Sequence, residues 1–267
     1  MIRRLLFPLV GLMALLHAED DRPVVEDRGP REGAARRDLP TLWIAGDSTV
    51  KSHRPMRGWG QEIGAFFDEG KINVVNRAIG GRSSRTFFTE GRWQEILDGL
   101  QEGDFVLVQF GHNDVGPTDA RSKFRGSVKG IGDETEEVEK PDGTVEVVRS
   151  YGWYLRHYAR TAREKGATVV LCSPVPHKQF ERNGDFKPDW DTWRDWVKAC
   201  ARAEEAHYVD LAERVGRKYD RMGPEKVEPL FADKRTHTTE AGARLNAETL
   251  VEALDELPGR PFREYRK

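Results

Sequence analysis

A serine, an asparagine and a histidine lie in polar stretches at or near the ends of separate elements of this chain. Ser48 follows the apolar run that starts at Thr41 and breaks at Gly46, Asn113 follows another apolar run, and His237 lies near the carboxyl end. A serine hydroxyl is a weak nucleophile until a neighbouring imidazole takes its proton, and the oxyanion formed by its attack needs hydrogen-bond donors that are already in place. These residue types therefore predict nucleophilic catalysis at Ser48 if the fold brings them together.

Each polar stretch also has a simpler structural interpretation. Gly46-Asp-Ser48 could form an ordinary strand-to-helix turn in which the Asp or the Ser caps the next helix. The pair Gly80-Gly81 could form a tight turn, and Gly111-His-Asn-Asp114 could form an Asn/Asp turn with a helix cap. His237 could be a polar loop residue just before a helix. Placement at the ends of neighbouring strands would favour the catalytic interpretation.

Strand-like and helix-like segments alternate along most of the chain, which predicts a parallel sheet covered by helices on both faces. Apolar runs without polar alternation fit strands that are buried on both sides. In such sheets ligands bind at the carboxyl ends of the strands, where the polar stretches fall. The expected strands are 41–46, 72–76, 105–109, 168–172 and 208–209, and the expected helices are 59–67, 93–100, 154–165, 190–206, 211–219 and 240–257.

Two segments precede the predicted domain. Residues 1–18 combine two arginines, a short apolar run and Ala18 before an acidic stretch, which is typical of a secretory signal peptide. An uncleaved anchor is the alternative, although a membrane span needs about 20 apolar residues. Residues 19–39 are charged and lack periodicity, which predicts a flexible leader. We therefore expect an exported protein, periplasmic or extracellular, with one domain over 40–257 and a tail over 258–267.

The composition limits the partners. Lys+Arg number 43 and Asp+Glu 45, for a formal net charge of −2, and the charges are scattered along the chain. Nucleic acid and anionic membrane are therefore not expected as main partners. Cys172 and Cys200 have no metal-ligand spacing such as Cys-x-x-Cys. An exported chain permits a disulfide between them, but Cys172 as a small core residue is the favoured interpretation. The sequence predicts no particular oligomeric state.

An insertion at 116–150 follows Asp114. Its residues 133–148 alternate polar and apolar side chains around Pro141-Asp-Gly143, which predicts a β-hairpin. The acidic outer face is most simply a solvated surface. The functional alternative is a flap beside the active site that shapes a carbohydrate groove.

Four blocks in this order, Gly46–Thr49, Gly80, Gly111–Asp114 and Asp233 with His237, resemble those of the SGNH (GDSL-type) hydrolases. Within that superfamily the phrases at 76–87, 151–154 and 237–243 resemble the rhamnogalacturonan acetylesterases and their relatives, and related bacterial esterases share them. The resemblance spans the chain from Leu42 to Leu257. It implies a flavodoxin-like, three-layer α/β/α sandwich with a five-stranded parallel sheet.

The resemblance also implies roles for individual residues. Ser48 would attack the ester carbonyl, and His237 would act first as base and then as acid. The backbone amides of Ser48 and Gly80 and the side-chain amide of Asn113 would form the oxyanion hole. Asp233 would hold the imidazole in the correct tautomer.

The sequence departs from the family pattern at the acid. These enzymes usually place the acid three residues before the histidine, but Lys234 occupies that position and Asp233 lies four before His237. Asp233 is therefore expected to reach the ring across a bulge or turn. Glu228 as the acid, or a Ser–His dyad without one, are the alternatives.

The implied function is that of a serine esterase that removes acetyl groups from plant cell-wall polysaccharide or oligosaccharide, most specifically acetylated rhamnogalacturonan or pectin. A serine esterase of this kind is expected to need neither a metal nor a nucleotide cofactor. Arg82 and Arg85 are candidates to meet a uronate carboxylate, or else form structural salt bridges. Trp59 is a candidate to stack on a sugar ring, or else packs in the core. The alternatives are an esterase acting on acetylated xylan or a small lipid ester, and a non-catalytic carbohydrate-binding pseudoenzyme.

Overall fold

The computed structural model of the chain describes residues 38–267. The predicted signal peptide, and all but the last two residues of the predicted leader, lie outside the described residues. Within 38–267, no helix is both long enough and apolar enough to cross a membrane.

Seven strands and seven α-helices make up the described chain. The strands are β1 Thr41–Gly46, β2 Asn73–Asn76, β3 Phe105–Gln109, β4 Thr135–Glu139, β5 Val145–Arg149, β6 Thr168–Cys172 and β7 His207–Val209. The helices are α1 Ser84–Thr89, α2 Arg92–Gly99, α3 Tyr151–Glu164, α4 Asp191–Ala203, α5 Leu211–Met222, α6 Pro224–Val227 and α7 Glu240–Asp255. Short 3-10 helices cover Trp59–Gln61, Ile63–Phe66, Ala120–Ser122, Glu228–Leu230 and Arg263–Tyr265.

The main sheet has five strands in the order β2-β1-β3-β6-β7, and every neighbouring pair is parallel. All six residues of β1 are buried, as expected for a central strand covered on both faces. Its side chains alternate between two core clusters, with Leu42 and Ile44 in one and Trp43 and Ala45 in the other. The predicted fold class is confirmed.

The two core clusters define the outer layers of the sandwich. Helices α5 and α7 and the 3-10 helices after Gly58 contribute apolar side chains to the cluster on one face. Helices α1 to α4 cover the other face, where the rings of Trp93 and Tyr158 pack at a tilt of 38° with centroids 4.4 Å apart. Because both faces are covered, the exposed edge at the carboxyl ends of the strands is left for the polar loops.

Several elements differ from the predicted ones. Residues 59–67 form two 3-10 helices rather than one helix, and β2 begins at Asn73. Helix α1 was not predicted; Ser83 caps it by accepting a hydrogen bond from the Thr86 backbone N–H at 3.1 Å. Helix α4 begins one residue later than predicted, because Trp190 has the left-handed φ of 73°.

The predicted tail is part of the folded domain. Phe262 is fully buried, and its ring centroid lies 4.7 Å from that of Phe105 in β3. The last residues therefore pack against the core at the start of β3 and do not form an extended tail.

The inserted hairpin forms as predicted. Strands β4 and β5 pair antiparallel, and the Gly143 N–H donates to the Lys140 carbonyl at 2.9 Å to close the turn.

The two cysteines are free and buried in opposite core clusters, Cys172 on one face of the sheet and Cys200 on the other. Both act as small core residues.

Candidate active site

Ser48 lies in a tight turn at the carboxyl end of β1. A Cβ on Gly46 would lie 2.4 Å from Val50 Cγ2 and 2.8 Å from the Gln109 carbonyl oxygen, so only glycine fits where the strand ends. The carboxylate of Asp47 accepts hydrogen bonds from the Thr49 backbone N–H at 2.9 Å and from its hydroxyl at 2.7 Å. These contacts fix the turn and leave the Ser48 side chain partly exposed at its tip.

Ser48, His237 and Asp233 form a continuous hydrogen-bonded chain. Ser48 Oγ lies 2.8 Å from His237 Nε2, with the two residues 189 positions apart in the sequence. On the other side of the ring, His237 Nδ1 lies 2.6 Å from Asp233 Oδ2. A proton on Nδ1 is then held by the carboxylate, which leaves Nε2 free to accept the serine proton.

The loop between Asp233 and His237 absorbs the extra residue. The Ala232 N–H donates to the His237 carbonyl at 2.8 Å, and Phe231 pairs with Thr238 in an antiparallel bridge. Inside this closed loop, Asp233 Oδ1 accepts the backbone N–H groups of the next turn, at 2.8 Å from residue 235, 2.7 Å from 236 and 3.1 Å from 237. The predicted turn is therefore built around the carboxylate itself.

The same contacts determine the charge of Asp233. Partial burial raises the pKa of this carboxyl, but hydrogen bonds from the backbone and the His237 ring more than offset that effect. Together they hold the pKa of Asp233 well below its usual range, so the carboxylate stays ionised. The alternative acid, Glu228, instead pairs with Lys178 at 2.9 Å.

Gly80 lies next to Ser48, and Asn113 contacts the segment that follows Gly80. A Cβ on Gly80 would lie 3.6 Å from the Cβ of Ser48, so the two backbones are adjacent. The amide nitrogen Nδ2 of Asn113 donates to the Arg82 carbonyl at 3.0 Å, and Asn113 Oδ1 accepts from Arg125 Nη1 at 3.0 Å. An amide nitrogen has two hydrogens, so Asn113 keeps a second one to offer to a ligand.

A buried contact between a carboxylate and an imidazole lies next to the turn. Asp47 is fully buried, and its Oδ2 lies 3.5 Å from Nδ1 of His112, the residue before Asn113. Burial raises the pKa of Asp47, but the charge of His112 and the hydrogen bonds from Thr49 outweigh burial and lower it overall. This contact links the loop after β3 to the turn after β1. Sequence reasoning missed it because both residues look like ordinary turn residues.

Two of the predicted substrate-binding residues are buried, which corrects those predictions. Arg85 is fully buried; its guanidinium donates to both oxygens of Glu146, at 2.7 and 2.9 Å, and to the Thr118 and Gly126 carbonyls. Trp59 is also fully buried, with no ring face left for a sugar. The structural alternatives hold for both residues: Arg85 ties the hairpin to the domain, and Trp59 packs in the core.

The third predicted binding residue, Arg82, is partly exposed. Its side chain is 34% exposed, and its Nη1 donates to the Gly80 carbonyl at 3.2 Å. Its Nε lies 3.0 Å from Glu90 Oε2. The guanidinium therefore lies next to the predicted oxyanion hole and retains exposed surface.

As a whole, the site combines a hydroxyl paired to an imidazole, a carboxylate behind the imidazole, and the Gly80 backbone beside the hydroxyl. This arrangement can activate a serine and stabilise an oxyanion. Within residues 38–267, no group of three or more His, Cys, Asp or Glu side chains could hold a metal ion.

Comparison with known proteins agrees with this geometry. The profile of the GDSL-like lipase/acylhydrolase family matches residues 44–245. The probable rhamnogalacturonan acetylesterase YesY of Bacillus subtilis is 36% identical over 231 residues, which cover 84% of this chain and 95% of that protein. The rhamnogalacturonan acetylesterase of Emericella nidulans is 34% identical over 214 residues, covering 80% and 84%. The crystal structure of the Bacillus subtilis protein YXIM has a TM-score of 0.66 at 26% identity, covering 82% of this chain and 56% of that one. The chain belongs to the GDSL-like lipase/acylhydrolase family and is a hydrolase.

Proposed function

We propose that the protein is an exported serine esterase that removes acetyl groups from plant cell-wall polysaccharide, with acetylated rhamnogalacturonan or pectin as its substrate. The observation that carries this proposal is the 2.8 Å contact between Ser48 Oγ and His237 Nε2, with Asp233 behind the ring. That geometry is the one a serine needs for attack on an ester carbonyl.

In the first half of the reaction, His237 Nε2 takes the proton of Ser48 Oγ as that oxygen bonds to the acetyl carbonyl carbon. The backbone N–H groups of Ser48 and Gly80 and the free hydrogen of Asn113 Nδ2 stabilise the resulting oxyanion. His237 then gives its proton to the sugar oxygen as the carbon–oxygen bond to the sugar breaks. The products of this half are a free sugar hydroxyl and acetyl-Ser48.

In the second half, water replaces the sugar. His237 takes a proton from water as the water oxygen attacks the acetyl carbon, and the same donors hold the second oxyanion. The bond to Ser48 Oγ breaks, and His237 returns the proton to that oxygen. Acetate leaves, and the ionised Asp233 balances the charge of the imidazolium in both halves.

Two considerations support the substrate. Relatives with 36% and 34% identity over most of the chain are named as rhamnogalacturonan acetylesterases, one of them as a probable one. The polymer backbone is anionic, and the partly exposed guanidinium of Arg82 next to Gly80 can meet a uronate carboxylate. No bound group is needed by the proposed steps, which use only side chains and backbone amides of the chain.

Export is part of the proposal and rests on the sequence of residues 1–18. Expressed at full length in a bacterial host, the protein should reach the periplasm or the medium with Glu19 as its first residue. Amino-terminal sequencing of that fraction is the test. A protein that stays membrane-bound and begins at Met1 would instead be anchored by this segment.

The activity is tested by acetate release from native and de-esterified acetylated pectin, acetylated xylan and a chromogenic acetate. The wild-type mature protein is compared with Ser48→Ala and with the control Ser52→Ala, which removes a hydroxyl that plays no part in the proposed reaction. We expect acetate from the pectin fractions with wild type and Ser52→Ala, and none with Ser48→Ala.

The other outcomes separate mechanism from substrate. Ser48-dependent release from xylan or the chromogenic acetate alone would keep the mechanism and reject the rhamnogalacturonan assignment. No release from any ester would reject the esterase proposal and favour a carbohydrate-binding pseudoenzyme.

A further inference from the structure

Arg125 contacts the amide side chain that is proposed to stabilise the oxyanion. We propose that Arg125 is a positioning residue for the esterase reaction, acting through Asn113, whose amide it holds in the one orientation that presents an N–H to the oxyanion. This inference rests on the proposed function, because it takes Asn113 as a donor of the oxyanion hole. It adds a residue from the inserted segment 116–150 to the set on which catalysis depends.

The amide of Asn113 is held at both ends. Arg125 Nη1 donates to its Oδ1 at 3.0 Å, and its Nδ2 donates to the Arg82 carbonyl at 3.0 Å. Rotating the amide by 180° would place its NH₂ against the guanidinium and its oxygen against a carbonyl. Both contacts would then be repulsive, so the observed orientation is strongly preferred.

Without Arg125, the Arg82 carbonyl would be the remaining contact of this amide. A single neutral hydrogen bond is a weak restraint on a side chain that water can also bind. A guanidinium is always charged, and hydrogen bonds to charged groups are about twice as strong as neutral ones. Arg125 therefore supplies the stronger of the two restraints.

The local backbone holds Arg125 in place. Its Nε donates to the Ser122 carbonyl at 3.0 Å, and its backbone N–H donates to Ser122 Oγ at 3.2 Å. The two residues before it, Lys123 and Phe124, both have the left-handed φ of 58°. Two consecutive non-glycine residues in this region cost free energy, and such strain persists where surrounding contacts enforce it.

The guanidinium also lies against the glycine pair. A Cβ on Gly81 would lie 3.7 Å from Arg125 Nη1, so the charge is next to the segment that contains Gly80. Gly81 has a φ of 78°, which favours glycine. A fixed positive charge here strengthens Asn113 as a donor, because a donor to Oδ1 polarises the amide toward its N–H side.

The competing interpretation is that Arg125 only closes the loop of the insertion through its bond to Ser122. A double-mutant cycle separates the two, because a loop closure would act independently of the Asn113 amide. The four proteins are wild type, Arg125→Met, Asn113→Ala and the double variant, assayed on a chromogenic acetate. Arg121→Met is the matched control; it lies in the same loop, is 76% exposed and pairs with Asp119.

We expect Arg125→Met to lower kcat about 10–100-fold, somewhat less than the 100–1000-fold typical of losing an oxyanion donor outright. KM should stay within about twofold, because the contact forms only with the transition state. In the Asn113→Ala background, the same substitution should lower kcat less than about threefold. Arg125→Lys keeps the charge but lacks the planar guanidinium with its several fixed donors, so its kcat should fall between those of wild type and Arg125→Met.

Two results would overturn the inference: a kcat within twofold of wild type for Arg125→Met, or an equal loss with and without Asn113. If Arg125→Met does not fold, as judged by thermal unfolding, the same cycle is run with Arg125→Lys, and an equal loss of kcat with and without Asn113 then overturns the inference. Failure of the proposed function is distinguishable, because wild-type activity on the chromogenic ester would then be absent or would survive in Ser48→Ala.

Discussion

Asp233 bonds His237 twice: its Oδ2 lies 2.6 Å from the ring Nδ1, and its Oδ1 accepts the backbone N–H at 3.1 Å. One carboxylate therefore fixes both the ring and the backbone that carries it. Because Oδ1 also accepts the two preceding N–H groups, the loop curls around the carboxylate and accommodates one residue more than the usual spacing in the family. The two oxygens have separable roles, one for the imidazole and one for the loop.

Two substitutions at Asp233 separate those roles. Asp233→Asn keeps an oxygen for the loop but loses the negative charge at the ring, whereas Asp233→Ala loses both. We expect each to lower kcat by about 10⁴-fold, less than the roughly 10⁶-fold for Ser48→Ala or His237→Ala. Asp233→Ala should also lower the melting temperature, by about 2–4 °C for a loss near 1 kcal/mol, because water can partly replace this half-exposed carboxylate. Asp233→Asn, which loses the charge but keeps an oxygen for the loop, should lower the melting temperature less.

Steady-state kinetics and thermal unfolding of the two variants provide the check. Equal melting temperatures for Asp233→Ala and wild type would contradict the loop role. Full activity of Asp233→Asn would contradict the ring role and favour a Ser–His dyad.

The lowered pKa of Asp233 predicts a pH dependence of stability. A carboxyl with a depressed pKa in the folded state stabilises the protein above its ordinary value of about 3.9 and loses that contribution as pH falls below it. The melting temperature of wild type should therefore exceed that of Asp233→Asn at pH 7 and pH 5. The difference should narrow progressively below about pH 4. A difference that stays constant from pH 7 to pH 3 would show that ionisation of Asp233 does not contribute.

The hydrogen-bonded series of Ser48, His237 and Asp233 was predictable because its members fall in distinctive local contexts. Ser48 ends a buried strand at a glycine, and His237 precedes the helix α7 that Thr239 caps. Parallel strands bring their carboxyl ends to one edge of a sheet, so short-range patterns were enough to predict that these groups converge. The sheet order itself follows from the same alternation of strands and helices.

The contacts that the sequence did not reveal join distant segments through side chains. Arg85 and Glu146 are 61 positions apart, and both lie in stretches that look solvent-exposed by composition. Arg125 lies in an insertion whose polar residues give no periodic signal, and its position depends on two left-handed residues that no local preference predicts. Contacts between distant segments determine the positions of these side chains, and local sequence preferences do not predict such contacts.

Replacement of Arg85 should affect stability and not substrate recognition. Arg85→Met would leave Glu146 paired with Lys140 alone among residues 38–267 and would remove a donor from the carbonyls of Thr118 and Gly126. We expect a loss on the order of 3 kcal/mol in the free energy of unfolding, as for other broken buried pairs. Urea unfolding measures it, and Arg85→Lys should lose less because it keeps the charge.

The test is completed by measuring the KM of the folded Arg85→Met protein for acetylated pectin and for a chromogenic acetate. A rise in KM for pectin alone, with unchanged stability, would restore Arg85 as a substrate-binding residue.

Replacement of Arg82 should affect substrate recognition and not stability. Its guanidinium is partly exposed beside Gly80, so Arg82→Met should raise KM for de-esterified acetylated pectin about fivefold, which corresponds to about 1 kcal/mol for an exposed ionic contact. KM for the neutral chromogenic acetate should change little. The difference between the substrates should disappear at high salt, which screens exposed charges. Arg92→Met, which removes the other arginine paired with Glu90, is the control. An equal rise in KM for both substrates would show that Arg82 does not bind the carboxylates of the polymer.

Trp59 ends a buried polar chain that leads to the nucleophile turn, and this contact gives the last prediction. Its Nε1 donates to Gln109 Oε1, Gln109 Nε2 donates to Thr49 Oγ1, and that hydroxyl donates to Asp47 Oδ1, each at 2.7 Å. Trp59→Phe would leave a buried oxygen without a donor, which costs about 1–3 kcal/mol of stability. Because the chain fixes the turn that carries Ser48, we expect kcat to fall by the same factor on pectin and on the chromogenic acetate, with KM for both unchanged. A rise in KM for pectin alone would instead indicate that the indole contacts sugar.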